Sequence, residues 1–177
     1  MLKRVLIIFG LISLIFIFGF WAENQLKTID FKEITKTRTS DLTEESREKA
    51  KVAKVIDGDT IELSDKRKVR YIGINSFEMN DERLEIKCLA EKAREANRNL
   101  VENKEIEMEK DVSDTDKYGR LLRYVWIDGI LVNEELVKNG WAEVSSFPPD
   151  IKYQERFRIE QIKAKLNDLG IWGNTCQ

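Results

Sequence analysis

Short alternating apolar runs dominate the middle of this chain and give way later to a three-to-four spacing. Val52, Val55, Ile56, Ile61 and Leu63 mark β-type runs broken by Asp57-Gly58-Asp59. Residues 68–74 form another such run, and the polar stretch 64–67 before it suits a hairpin turn. Over 88–103 the period becomes helical, with Leu89, Ala93, Ala96 and Leu100 on one stripe. Residues 105–108 alternate again, and 121–132 carry Asp128-Gly129 between two apolar runs, a type I′ hairpin signal. Asn133 is placed to cap a short helix that Gly140 ends. Ile159, Ile162, Leu166 and Leu169 line a last helix that starts near Asp150 and stops at Gly170. Strands first, a central hairpin and interleaved helices predict an α+β domain: a five-stranded β-barrel of OB type with three packed α-helices. Barrels of that type commonly bind oligonucleotides on one face.

The first residues follow a different rule. Lys3 and Arg4 precede an uncharged run of 18 residues, 5–22, about 27 Å if helical. That is long for a signal h-region and within reach of a spanning helix. Bulky Phe20, two residues before Ala22, makes a poor cleavage context, which favours a retained anchor over a cleaved signal peptide. Lys3 and Arg4 then stay cytoplasmic. The expected organisation is a membrane anchor or signal at 1–22, a polar tether at 23–49 and a domain at 50–177. The expected location is the cell membrane, single-pass, with a monomeric domain on the extracytoplasmic side, or secretion after cleavage. Cys88 and Cys176 would then lie where a disulfide is permitted. The alternative is one buried thiol and one tail thiol.

Composition narrows the chemistry. Among 177 residues there is no histidine, which removes imidazole bases, Ser-His-Asp triads and histidine zinc sites. Lys and Arg number 30 against 32 Asp and Glu, for a formal net charge of -2. No basic stripe of the kind that draws nucleic acid over a whole surface is present. Chemistry must run on carboxylates, arginines and a bound metal ion.

Three stretches hold those groups. In Val55-Ile-Asp-Gly-Asp-Thr-Ile61, Gly58 permits a tight turn that points Asp59 inward while Asp57 caps it. Surface turns use Asp-Gly-Asp often, so it says little alone. In Val69-Arg-Tyr-Ile-Gly-Ile-Asn-Ser-Phe-Glu78, Arg70 projects from an apolar strand and needs an anionic partner, and Glu78 follows in a loop. A structural Arg70–Glu78 salt bridge is the plain alternative. In Thr115-Asp-Lys-Tyr-Gly-Arg-Leu121, Arg120 follows a glycine at a strand entry, a position where arginine is usually solvated.

In this order and spacing the three stretches resemble the staphylococcal nuclease (thermonuclease) family. Val132-Asn-Glu-Glu-Leu-Val137, Phe147-Pro-Pro149 and Gly170-Ile-Trp-Gly173 extend the resemblance. It implies an OB-barrel, calcium-dependent nuclease acting on DNA and RNA. It further implies metal ligation by Asp59, Asn75 and the Ser76 carbonyl, and water activation by Glu78. Arg70 and Arg120 would grip the scissile phosphate, and Lys117 and Tyr118 would contact a terminal phosphate. The chain departs from the pattern where Asn75 replaces an aspartate, Phe77 a proline, and Ser146 and Pro148 two tyrosines. Losing a carboxylate should weaken Ca²⁺ binding. These departures keep a second reading open: a non-catalytic module of the same family that binds nucleic acid or protein.

Overall fold

A computed structural model describes residues 47–176, so the expected anchor or signal and nearly all of the tether lie outside the described residues. Among the described residues no helix is long and apolar enough to cross a membrane. The first strand, β1 (Glu48–Val55), begins ahead of the expected domain start at 50. Its outer half pairs with β5 (Glu105–Glu109) and its inner half with β2 (Thr60–Leu63), with a register shift between Val52 and Lys54. One bent strand thereby serves two neighbours, as a bulge allows.

From β2 the chain reverses into β3 (Lys68–Tyr71) through the expected turn. Lys66 takes φ 75° there, and Asp65 Oδ1 accepts the Arg67 N–H at 3.1 Å. β5 continues antiparallel to β6 (Leu121–Ile127), and β6 runs parallel to β3 with Arg70 opposite Leu122. That last pairing closes a five-stranded barrel. Inward positions of the alternating strands, among them Val52, Val55, Ile61, Val69, Ile106 and Val125, fill it with at most 1% exposure each.

The single strand expected over 68–74 is interrupted. Gly73 takes φ 80°, where a Cβ would lie 2.8 Å from the Phe157 ring. The chain leaves the barrel there and forms β4 (Ile74–Asn75) against β8 (Glu143–Val144). The Asp128-Gly129 turn joins β6 to β7 (Ile130–Leu131) with φ 49° and 78°, as a type I′ hairpin requires.

Helix α1 (Leu84–Val101) starts earlier than expected and buries Leu89, Ala90, Ala93, Asn97 and Val101. Helix α2 (Val132–Lys138) corrects the assignment of Asn133. The residue sits inside the helix, fully buried, and caps nothing. Its Oδ1 accepts the Val125 N–H at 2.9 Å and its Nδ2 donates to the Ile72 carbonyl at 2.9 Å, tying helix to barrel. Helix α3 (Gln154–Leu166) corrects a second expectation. It buries Phe157 and Ala164, while Ile159, Ile162, Leu166 and, beyond its end, Leu169 are exposed. Phe157 wins because Tyr124 receives it edge-on and the Tyr153 ring lies against it at a tilt. A 3₁₀ turn (Gly170–Trp172) follows, and Cys176 is disulfide-bonded to Cys88 on α1.

Candidate active site

The turn between β1 and β2 sets the deepest group of the site. Asp57 Oδ1 accepts the Asp59 N–H at 3.0 Å, so the turn forms as the sequence predicts. Gly58 is required by contact rather than by an unusual backbone angle, since a Cβ would lie 2.6 Å from the Ser76 Cβ. Asp59 is buried, and its Oδ2 accepts the Ser76 N–H at 2.6 Å. Its Oδ1 accepts from Thr60 Oγ at 3.0 Å and is ion-paired with Arg70 Nη1 at 2.9 Å. Burial pushes the Asp59 carboxyl up to about 7; the Arg70 guanidinium opposes this, nearby Asp57 adds to it and the Ser76 N–H opposes it.

Arg70 therefore finds its anion in Asp59 rather than Glu78. The same guanidinium donates from Nη1 to the Ile74 carbonyl at 2.9 Å and from Nη2 to Asn75 Oδ1 at 2.9 Å. Its Nε has no partner among the described residues. The turn at Gly73 makes this possible by bringing Asn75 back over the barrel rim beside the residue five positions earlier.

Arg120 approaches from the loop just before the neighbouring strand, β6. Asp116 Oδ2 accepts its Nε at 2.7 Å, and Asp116 Oδ1 accepts the amide N–H groups of Tyr118 and Arg120 at 2.9 and 3.0 Å. Partial burial works to raise the Asp116 carboxyl, but the Arg120 guanidinium and these amides together hold it below its ordinary range. With Nε anchored, Nη1 and Nη2 of Arg120 have no partner among the described residues. Exposed Tyr118 lies beside it, its ring 5.5 Å from the Arg120 guanidinium and 5.0 Å from Lys117 Nζ.

Arg70, Asn75, Lys117, Tyr118 and Arg120 together line one open cleft of about 780 Å³. Asp59 lies behind Arg70, with Ser76 bonded to it. Glu78 is not brought in: it is exposed on the loop after Asn75 and does not line the cleft. Neither Ser146 nor Pro148 lines it. Phe147 between them does, and is 73% exposed. In the sequence Phe147 stands out only as the start of the Phe147-Pro-Pro149 stretch, and nothing local marks it as a cleft wall. Buried Asp150, also missed, holds the opposite loop by accepting the Val112 and Ser113 N–H groups at 3.0 and 2.8 Å.

Among the described residues no three acidic, cysteine or histidine side chains gather as a metal cluster. The groups that could hold an ion are the Asp59 carboxylate, Asn75 Oδ1 and the Ser76 carbonyl. All are oxygen donors, which suits a hard cation such as Ca²⁺. The raised Asp59 carboxyl means that one guanidinium leaves its charge incompletely compensated, so the donor set fits a further cation.

The description of the staphylococcal nuclease homologue family matches residues 68–174. The chain belongs to the staphylococcal nuclease family. Among its relatives, endonuclease YncB of Bacillus subtilis (strain 168) is 37% identical over 127 residues, 69% of this chain and 60% of that protein. Thermonuclease of Staphylococcus hyicus is 32% identical over 141 residues, 77% of this chain and 83% of that one. Thermonuclease of Staphylococcus intermedius is 34% identical over 125 residues, 68% and 74%. The chain thus spans less than two thirds of the Bacillus endonuclease. The family match includes Arg70, Asn75, Glu78 and Arg120, while Asp59 precedes its first residue.

Proposed function

We propose that this chain is a calcium-assisted nuclease that hydrolyses phosphodiester bonds of DNA or RNA, carried outside the cytoplasmic membrane by its N-terminal apolar segment. The observation that supports this most is the pair of guanidinium groups facing one cleft from β3 and from the loop just before β6, one with two uncommitted donors. A phosphodiester entering the cleft meets the Nη1/Nη2 fork of Arg120, which matches two anionic oxygens at once. Arg70 faces the same phosphate from the other side through its unbonded Nε. As charge builds on the equatorial oxygens, both guanidiniums bind the transition state more tightly than the ground state. Lys117 and Tyr118 hold a neighbouring phosphate, and Phe147 offers a face on which a base stacks. Asp59, Asn75 and the Ser76 carbonyl would hold Ca²⁺, which when bound would supply a charge that polarises a phosphoryl oxygen. Glu78 takes a proton from the attacking water once substrate draws its exposed loop over the cleft.

A second reading has its own support. Arg70 engages both Asp59 and Asn75, one family carboxylate is an amide here, and Glu78 stands away from the cleft. A module that binds nucleic acid without cutting fits those three facts. Incubation with single-stranded and duplex substrates, with and without calcium, separates the two. The nuclease reading expects products only with calcium, and Asn75→Asp should lower the calcium concentration needed. A mobility shift with no product at any calcium concentration would favour the binder.

A further inference from the structure

Beyond the cleft lies a smaller polar recess that the catalytic arrangement does not use. Its volume is about 300 Å³, and Val144, Ser145, Ser146, Gln154, Arg158 and Gln161 line it. Ser145 lines both spaces, so the recess continues the cleft from β8 toward α3. Its N–H donates to the Gly73 carbonyl at 2.9 Å, which holds the junction in place.

The recess is rich in donors without strong partners. Ser146 Oγ is buried and makes no hydrogen bond, which costs free energy unless something answers it. Gln161 Oε1 accepts the Val144 N–H at 2.7 Å, leaving its NH₂ as a donor without a partner among the described residues. Among the described residues Arg158 pairs only with Glu155, Nη1 to Oε1 at 3.5 Å, and both side chains are more than half exposed. Gln154 Nε2 reaches the same Glu155 oxygen, also at 3.5 Å. Such a loose exposed pair contributes little, and a phosphate offering two oxygens to the fork competes well against it.

Resting on the nuclease reading above, we infer that this recess is a subsite for the phosphate of a flanking nucleotide, with Arg158 as its cation and Ser146 Oγ, Gln154 and Gln161 as its neutral donors. A strand gripped by Arg70 and Arg120 runs past Ser145 and places its next backbone phosphate against α3. The site reads backbone rather than base, so it adds affinity for longer strands and no sequence preference.

The test compares a single-stranded 12-mer with a dinucleotide-length substrate, using the full chain, wild type and Arg158→Ala. Binding of the 12-mer by fluorescence anisotropy should weaken about fivefold in the variant. The slope of log affinity against log salt should become shallower by about 0.7, the value of one single-strand phosphate contact. The ratio of kcat/KM for the 12-mer to that for the short substrate should fall in parallel. Glu155→Gln, which removes the competing carboxylate, should tighten the 12-mer. Unchanged affinity and salt slope in Arg158→Ala, beside a wild type that binds and cuts, would overturn the subsite alone. A wild type that binds no 12-mer overturns the nuclease reading along with it.

Discussion

Replacing Arg120 with alanine should separate turnover from stability, because the two sides of its guanidinium have different work. Nε is committed to Asp116 at 2.7 Å and the two terminal nitrogens to nothing among the described residues. The pair with Asp116 is partly exposed, 29% and 16%, so its loss should cost about 1 kcal/mol or less. Asp116 would keep both amide donors, which come from the backbone and survive the substitution. On the proposed clamp, by contrast, the lost fork would meet charge that develops only in the transition state. Removing one preorganised donor of that kind costs about 10²–10³ in rate, or about 2.7–4 kcal/mol. Arg120→Lys keeps the charge, gives up the planar fork and should fall between, at roughly 10–10². The assay is single-turnover cleavage at saturating calcium, with thermal melting of the same samples. An Arg120→Ala rate within threefold of wild type would refute the clamp. So would a melting shift large enough to explain the lost activity by unfolding.

Two further perturbations probe the scaffold. Asn133→Leu strands the Val125 N–H and the Ile72 carbonyl inside the protein, at about 1–3 kcal/mol each. Urea denaturation should show a loss of about 2–5 kcal/mol, and a loss below about 1 kcal/mol would mean the bridge contributes little. For Asp59 the sign follows from its folded value of about 7 against an ordinary 3.8. Between those values the folded protein holds the proton that the unfolded chain releases, so this group lowers stability as pH rises toward 7. In a chelating buffer, Asp59→Asn should therefore gain on wild type from pH 4 to 7 and hold that margin above it. A margin that does not change with pH would refute the assignment.

Much of the barrel was legible because its strands obey period two and its turns carry their own chemistry. Asp128-Gly129 and the Asp57-Gly58-Asp59 turn fold as their residue types require. The failures are cases where tertiary packing overrode a local signal. Ile159, Ile162, Leu166 and Leu169 form a convincing helical stripe, but two residues off that stripe, Phe157 and Ala164, carry the burial. Asn133 looks like a cap from its neighbours; only the three-dimensional approach of Ile72 and Val125 reveals a bridge. At the site, Arg70 and Arg120 could be nominated from context and do face one cleft. That Arg70 would bind Asn75 depends on the reversal at Gly73, and Phe147 came to light only through its position at the cleft wall.

The seam between β3 and β6 has a consequence for how this protein becomes competent. Arg70 lies in one strand of that seam and Arg120 immediately precedes the other, so the two guanidiniums come into mutual range only when the parallel edges zip together. A molecule with its antiparallel hairpins formed and this edge open would own every side chain of the proposed site and, on that reading, still be unable to embrace a phosphate from two directions. If the proposed nuclease reading holds, activity is a direct gauge of ring closure: a preparation with frayed edges loses working molecules in proportion, rather than yielding a population of weakened ones.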